Sequence, residues 1–405
     1  MRTRRGFGVL ATVLLVLGLS ACNWPMPGHD ADRTNANPGE SRLTAATVGG
    51  LSQAFAVALP AGAGQPIADA SHLYATSGAS VRSVDPATGA AVGPHLGTGA
   101  GIVHVGKDGG LWESDGLLGG SWTGDLEATT GQLQPAFRNG FAAALRGDQE
   151  VRIERARPGG AGVIIRATVS PIRGPARWSG PIATVFGFGE TPSFRPTLGT
   201  DQLYGNLDGI VVAYDLDAPC TDTLECDTAW ALPVGASTEV VLSADGSTAY
   251  VGTESGYLLA LDTSSGAVRW YASFHGAPVT ATPALAGGKL FVPIGTAAAG
   301  YAGHVLMVLD ASGCGRTSCG NLWWGSLAPG ATVTSQPTVG GDVVYVGDGT
   351  GVVRAFPTAG CGTYGCDAVW TGQVSGAVDG GLSVLGGRLY VGSASALTAF
   401  ALPAP

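Results

Sequence analysis

Residues 249–270 read AYVGTESGYLLALDTSSGAVRW. Two apolar runs, AYVG and YLLALD, are separated by TESG, and a second turn, TSSG, leads into AVRW. The runs are too short for helices and are bounded by turn residues, which is how strands read. Gly supplies the positive φ that tight turns need, while Asp, Ser and Thr bond to their own backbone. With TEVVLS at 238–243 in front, the unit is a four-stranded antiparallel meander.

The unit recurs. Its second strand returns as LYAT at 73–76, LYGN at 203–206, LFVP at 290–293, VYVG at 344–347 and LYVG at 389–392. Its third returns as ASVRSVD at 79–85, GIVVAYD at 209–215, GHVLMVLD at 303–310 and GVVRAFP at 351–357. The fourth carries Trp178, Trp230, Trp270, Trp323 and Trp370, at intervals of 52, 40, 53 and 47 residues. Four strands in 40–50 residues is the period of a β-propeller blade, a unit that buries its faces only against its neighbours. A Trp at a fixed point of each fourth strand is then a blade-docking residue. The expectation is an all-β propeller of eight blades, with seven as the alternative if 97–185 holds one blade rather than two. GDLEATTGQLQPAF at 124–137, with Phe137 in the Trp position, and 141–178, ending at Trp178, are the two degenerate units in that region. The C-terminal unit, 374–402, has three strands. SQAFAVAL at 52–59, with Phe55 in the Trp position, is expected to supply the fourth and close the ring, which removes exposed edges.

Composition agrees. Gly numbers 66 of 405 residues and charged residues make up 13 %, as suits many buried strands joined by tight turns. The net charge of −9, with 21 scattered Lys and Arg, excludes a nucleic-acid binder, which needs clustered cations for phosphates.

The N-terminus reads as an address. Arg2, Arg4 and Arg5 precede a short apolar run, GFGVLATVLLVLG at 6–18, too short for an ordinary membrane span. Leu19-Ser20-Ala21-Cys22 then resembles the lipobox of bacterial lipoproteins, which implies lipidation of Cys22. Thr3-Arg4-Arg5-Gly6-Phe7 also resembles a twin-arginine export motif. The organisation expected is a lipoprotein signal peptide over 1–21, a lipidated Cys with a lead-in linker over 22–50, and one propeller domain over 51–405. The remaining cysteines fall as Cys220/Cys226, Cys314/Cys319 and Cys361/Cys366, and these short spacings favour three local disulfides. Export makes disulfides compatible with the compartment. Zinc would need four ligands close together, and no His lies near the pairs. The second Cys of each pair stands four residues before a repeat Trp.

YVGTESGYLLALDTSSGAVRW resembles the PQQ-like β-propeller repeat of quinoprotein alcohol dehydrogenases and BamB-like lipoproteins, in which a Trp ending the fourth strand is the docking motif. NWPMPGHDADRTNANPGESRLTAATVGGLSQAF at 23–55 resembles the N-terminal segment of quinoprotein dehydrogenases. The resemblance implies one of two functions. A BamB-like chain would be a non-catalytic binding or scaffold protein at the cell envelope, exported, anchored by Cys22 and monomeric, with an envelope protein or polymer as partner and no cofactor. A quinoprotein would be a PQQ-dependent alcohol dehydrogenase using Ca²⁺ and a catalytic carboxylate. The vicinal Cys-Cys of that family and the C-x-x-C-H of its haem-bearing relatives are both absent from this sequence. No catalytic, cofactor-binding or metal-ligating residue is assigned.

Other candidates read as structure. Asp30-x-Asp32-x-x-Asn35 has clustered oxygens but not a full Ca²⁺-loop pattern, and is expected as a solvated, Asp-rich linker. Asp85, Asp215, Asp262 and Asp310 end third strands and are expected in Asx turns. His29, His72, His95, His104, His275 and His304 are dispersed. Trp112, Trp122 and Trp324 lie off the repeat position and are expected in blade packing.

Overall fold

A computed structural model of the chain describes residues 24–403 apart from residues 25, 60–61, 69–71, 78–79, 93–95, 98–102, 106–110, 114–122, 127–132, 139–140, 147–148, 157–161, 172–174, 187–193, 195, 221–225, 296–304 and 328–332. Residues 1–21, expected as a signal peptide, and Cys22, His95, His304 and Trp122 lie outside the described residues, as do the side chains of His104, Trp112 and Phe137.

The described strands form eight sheets, each built on a four-stranded meander, and the fold is a β-propeller. In chain order they span 67–97, 103–138, 141–186, 197–233, 241–273, 284–326, 338–373 and 381–401. We number these blades one to eight. The sparse region 97–185 thus contains two sheets. Trp178 opens the long outer strand Trp178–Phe186 of blade three. The fourth strand of blade eight comes from the other end of the chain: Ser52–Ala58 pairs antiparallel with Ala396–Ala401. Phe55 stands opposite Ala399, as Trp230 stands opposite Ala213, Trp270 opposite Ala260 and Trp370 opposite Ala355.

The burial pattern explains the sequence pattern. Second strands such as Thr248–Gly252 and Val343–Gly347 are buried at every residue because blades cover them on both sides, so they read as continuous apolar runs. Outer strands such as Trp230–Pro233 are buried at the Trp and largely exposed beyond it. Trp230, Trp270, Trp323 and, in the Trp position, Phe55 each dock on the turn glycine that follows the third strand of the next blade. A Cβ added to Gly266 would lie 2.7 Å from the Trp230 ring, at Gly313 2.7 Å from Trp270, at Gly360 3.0 Å from Trp323, and at Gly89 2.5 Å from Phe55. All four glycines have positive φ, between +71° and +82°. The turn therefore needs glycine twice, for its backbone and for the ring it carries.

Three disulfides join Cys220 to Cys226, Cys314 to Cys319 and Cys361 to Cys366, each between third and fourth strands. Each loop also clasps the outer strand of the preceding blade. The Cys226 N–H donates to the Pro181 carbonyl, the Cys319 N–H to Tyr271, and Gly365–Cys366 pairs in parallel with Trp324–Gly325. Trp324, off the repeat position, serves this clasp. A bridge over so short a loop contributes about 2 kcal/mol on the chain-entropy model. Replacing Cys314 and Cys319 together by serine is expected to lower unfolding free energy by about that amount and to speed hydrogen exchange at the Tyr271 and Cys319 amides, while amides of blades one and eight keep their protection.

Candidate functional site

The first strands line the axis. Leu198, Leu242, Leu285 and Val339 belong to the first strands of blades four to seven, and each points its N–H inward. Buried amides need acceptors. The lead-in supplies them in succession: the carbonyls of Ala31, Asp32, Thr34 and Asn35 accept from Leu198, Leu242, Leu285 and Val339. One short segment thus ties four consecutive blades. Asn37 Nδ2 extends the series by donating to the Val384 carbonyl of blade eight, 2.9 Å away. On the other side, Trp24 exchanges reciprocal backbone hydrogen bonds with Ala68 of blade one, at 2.8 and 2.9 Å. The stretch expected as a solvated linker is therefore part of the core: Ala31, Arg33, Asn35, Ala36 and Asn37 are all buried. Its polarity misleads because the residues bond to backbone groups of the axis instead of to water.

Above the bend of this segment lies a cup of about 520 Å³. Pro27, Gly28 and Arg33 of the lead-in contribute to its lining, and residues that precede first strands form most of the rest, among them Gln65, Glu239 and Asp379. Arg33 Nη1 meets Glu239 Oε2 at 2.8 Å, and Arg33 Nε donates to the Pro196 carbonyl at 2.9 Å. The guanidinium is 4 % exposed and so is committed to its partners. Gln65 is committed too: its Nε2 donates to Asn35 Oδ1 and to the Leu382 carbonyl, and its Oε1 accepts from Gly28. The wall hydroxyls repeat one structural task. Ser237 donates to Val279 and Thr334 to Val378, each tying one blade to the next. Of the carboxylates in the lining, Asp379 is exposed and Glu239 is buried.

A quinone cofactor with its carboxylates would need an aromatic plane, cations free to pair with it and oxygen ligands for Ca²⁺. The one aromatic residue of the described lining, Tyr74, is buried, and the lining's guanidinium is held by Glu239. Among the described residues no group of three or more His, Cys, Asp or Glu converges as a metal site. The residues present do not fit that group.

The remaining candidates separate. Asp30 accepts from the Thr34 N–H and hydroxyl, Asp32 contacts Arg146, and Asn35 donates to Pro337, so the three do not meet around a cation. Burial raises the carboxyl pKa of Asp32 against the opposing pull of Arg146. His29 rests edge-on against Trp24, with ring centroids 4.8 Å apart, and His72 stacks beside Tyr74. His275 occupies a turn with φ +54°. Asp85, Asp215, Asp262 and Asp310 each accept from the N–H two residues on, at 2.9–3.0 Å, and so make Asx turns. Arg33, Glu239 and Gln65 carried no signal in the sequence, since no recurring residue type marks their positions.

The turn carboxylates give a pH signature. The Ser243 hydroxyl, followed by the Ser247 N–H and hydroxyl, holds Asp245 down to about 2. The Ser264 hydroxyl and then Arg269 hold Asp262 below the usual carboxylate range. A depressed folded pKa contributes stability above the unfolded value of about 3.9 that is lost as pH falls towards the folded value. The urea midpoint is expected to hold between about pH 5 and pH 7 and to drop between about pH 4 and pH 2. Asp245→Asn should make that drop shallower; an unchanged profile would mean that these turns do not set acid stability.

Comparison with known proteins follows the geometry. Residues 207–361, 155 of 405, match the family model described as outer membrane protein assembly factor BamB. No curated protein matches the sequence. A quinohemoprotein alcohol dehydrogenase from Pseudomonas putida HK5 is similar in structure with a TM-score of 0.66 at 13 % identity, over 98 % of this chain and 84 % of that one. One from Comamonas testosteroni gives 0.60 at 14 % identity, over 96 % and 82 %. A europium-containing methanol dehydrogenase gives 0.61 at 14 % identity, over 93 % and 90 %. At such identities the likeness is one of fold. The repeat, the family match and the structural neighbours all point to a PQQ-like propeller, and three disulfides together with the BamB-like match suggest an extracytoplasmic compartment.

Proposed function

We propose that this chain is a lipid-anchored, extracytoplasmic propeller that binds an envelope protein or polymer at its cup without transforming it. The observation that carries the reading is the state of the cup. Its buried cation is neutralised by Glu239, its wall hydroxyls tie blades together, and its axis is filled by the chain's own lead-in. Such a cup is a rigid recognition surface with the exposed Asp379 in its lining and its described polar groups committed to holding the fold. The described assembly factor gives a precedent for a partner of protein type. The dehydrogenase neighbours lend their fold, and their chemistry would require a cofactor that the lining does not accommodate.

Two measurements test it. Crosslinking in intact cells followed by purification of the full chain should enrich one envelope component, and Asp379→Arg at the exposed mouth should abolish that enrichment while the far-UV spectrum is unchanged. Adding PQQ and Ca²⁺ to the purified protein should give no quinone absorbance in the protein fraction and no dye-linked alcohol oxidation. Bound quinone with turnover would replace this reading by the dehydrogenase one.

A further inference from the structure

We infer that the lipid on Cys22 holds the disulfide-bearing face of the propeller against the bilayer and leaves the cup open on the side away from it. The inference rests on the anchoring reading above and adds an orientation to it.

The direction of the chain decides the matter. In blades one, five, six, seven and eight the first strand starts at the cup: Gln65 and Ile67, Glu239, Thr282, Gln336 and Gly381 line it and stand at or just before their first strands. First strands therefore run from the cup to the opposite face. That opposite face carries the turns between first and second strands, such as Ser243–Ser247, and the loops between third and fourth strands, which hold all three disulfides. Trp24 pairs antiparallel with Ala68, at the end of the first strand of blade one. The chain at Trp24 consequently climbs towards the cup, bends at Pro27 and Gly28 in the cup lining, and descends as Ala36–Asn37, parallel to the first strand of blade seven. It reaches the far face again at Glu40, whose carboxylate accepts from the Gly387 N–H at 2.9 Å. Both legs of the hairpin thus open on the disulfide face.

Cys22 is two residues before Trp24, so its Cα lies within about 7–8 Å of a backbone that is fully buried and hydrogen-bonded. No long tether separates lipid from fold, and the body cannot turn over on its anchor. The turns between first and second strands on this face carry Asp201, Asp245 and Asp342, so it rests at the level of the headgroups and does not enter the hydrocarbon.

Blade five provides paired reporters. Ala244 lies in its far-face turn and Ser255 in its cup-face turn; both are exposed, and the five-residue strand Thr248–Gly252 separates them by roughly 17 Å. A photoreactive phenylalanine analogue is placed at either position in the full chain in intact cells, with radiolabelled palmitate scored in parallel. Labelled protein should give phospholipid adducts from position 244 at least tenfold over position 255. Equal adducts, or an excess from 255, on palmitate-labelled protein overturn the orientation while the anchor stands. Absence of palmitate label, with Cys22→Ala behaving as the parent, overturns the anchor and the orientation with it.

Discussion

Replacing Arg33 by alanine is expected to destabilise the propeller by about 3–5 kcal/mol, because it removes the guanidinium that neutralises the buried Glu239 carboxylate. The pair is 2.8 Å apart with side chains 4 % and 11 % exposed, so water cannot take over the role of the guanidinium. The same substitution releases the Pro196 carbonyl, 2.9 Å from Arg33 Nε, and loosens the segment that gives acceptors to four blades. Removing both charges should cost far less. Arg33→Met combined with Glu239→Met replaces a desolvated ion pair by apolar volume, an exchange that is often neutral. Urea unfolding of the single and double variants separates the two contributions. A loss under about 1 kcal/mol for Arg33→Ala would mean that the lead-in is held by its backbone bonds alone.

The repeat was legible because its causes are local. AYVG, TESG and YLLALD encode strand, turn and strand within one stretch, and Trp230, Trp270, Trp323 and Trp370 mark one register. Phe55 could be placed beside them because an aromatic follows the same alternation in SQAFAVAL, and it does stand on the outer strand of blade eight. The turn aspartates were legible for the same reason, since an Asx turn closes within three residues. The cup was not. Arg33 and Glu239 are more than two hundred residues apart, and their meeting depends on the axis formed by blades that the sequence places only in order. The lead-in misled for a related reason. Asp30, Asp32, Arg33, Asn35 and Asn37 are as polar as any solvated linker. Only the inward N–H groups of Leu198, Leu242, Leu285 and Val339 turn that polarity into burial. The disulfide clasps were half visible: the spacing of each second Cys from its Trp repeats, but the edge it covers belongs to another blade.

Trp270→Ala is expected to cost a further class of stability, about 3–5 kcal/mol, by emptying the joint between blades five and six. Trp270 is 5 % exposed and packs among Val241, Tyr250, Leu309 and Ala311, with the Tyr250 ring centroid 6.1 Å away. Its indole also lies on Gly313, the turn glycine of blade six. That contact makes a sharper test than the single loss. Gly313→Ala should itself cost about 1–3 kcal/mol, partly from φ +82°, partly from a Cβ placed 2.7 Å from the indole Cδ1. Only the second part depends on the Trp. Once Trp270 is alanine, the steric part disappears and the backbone part remains, so the double variant should be more stable than the sum of the singles implies, by about 1 kcal/mol. Additive losses would show that the ring and the turn do not touch. A coupling of the expected sign at Trp270 and Gly313, repeated at Trp230 and Gly266, would establish that ring-to-glycine contacts join these blades alongside the backbone clasps of the disulfide loops.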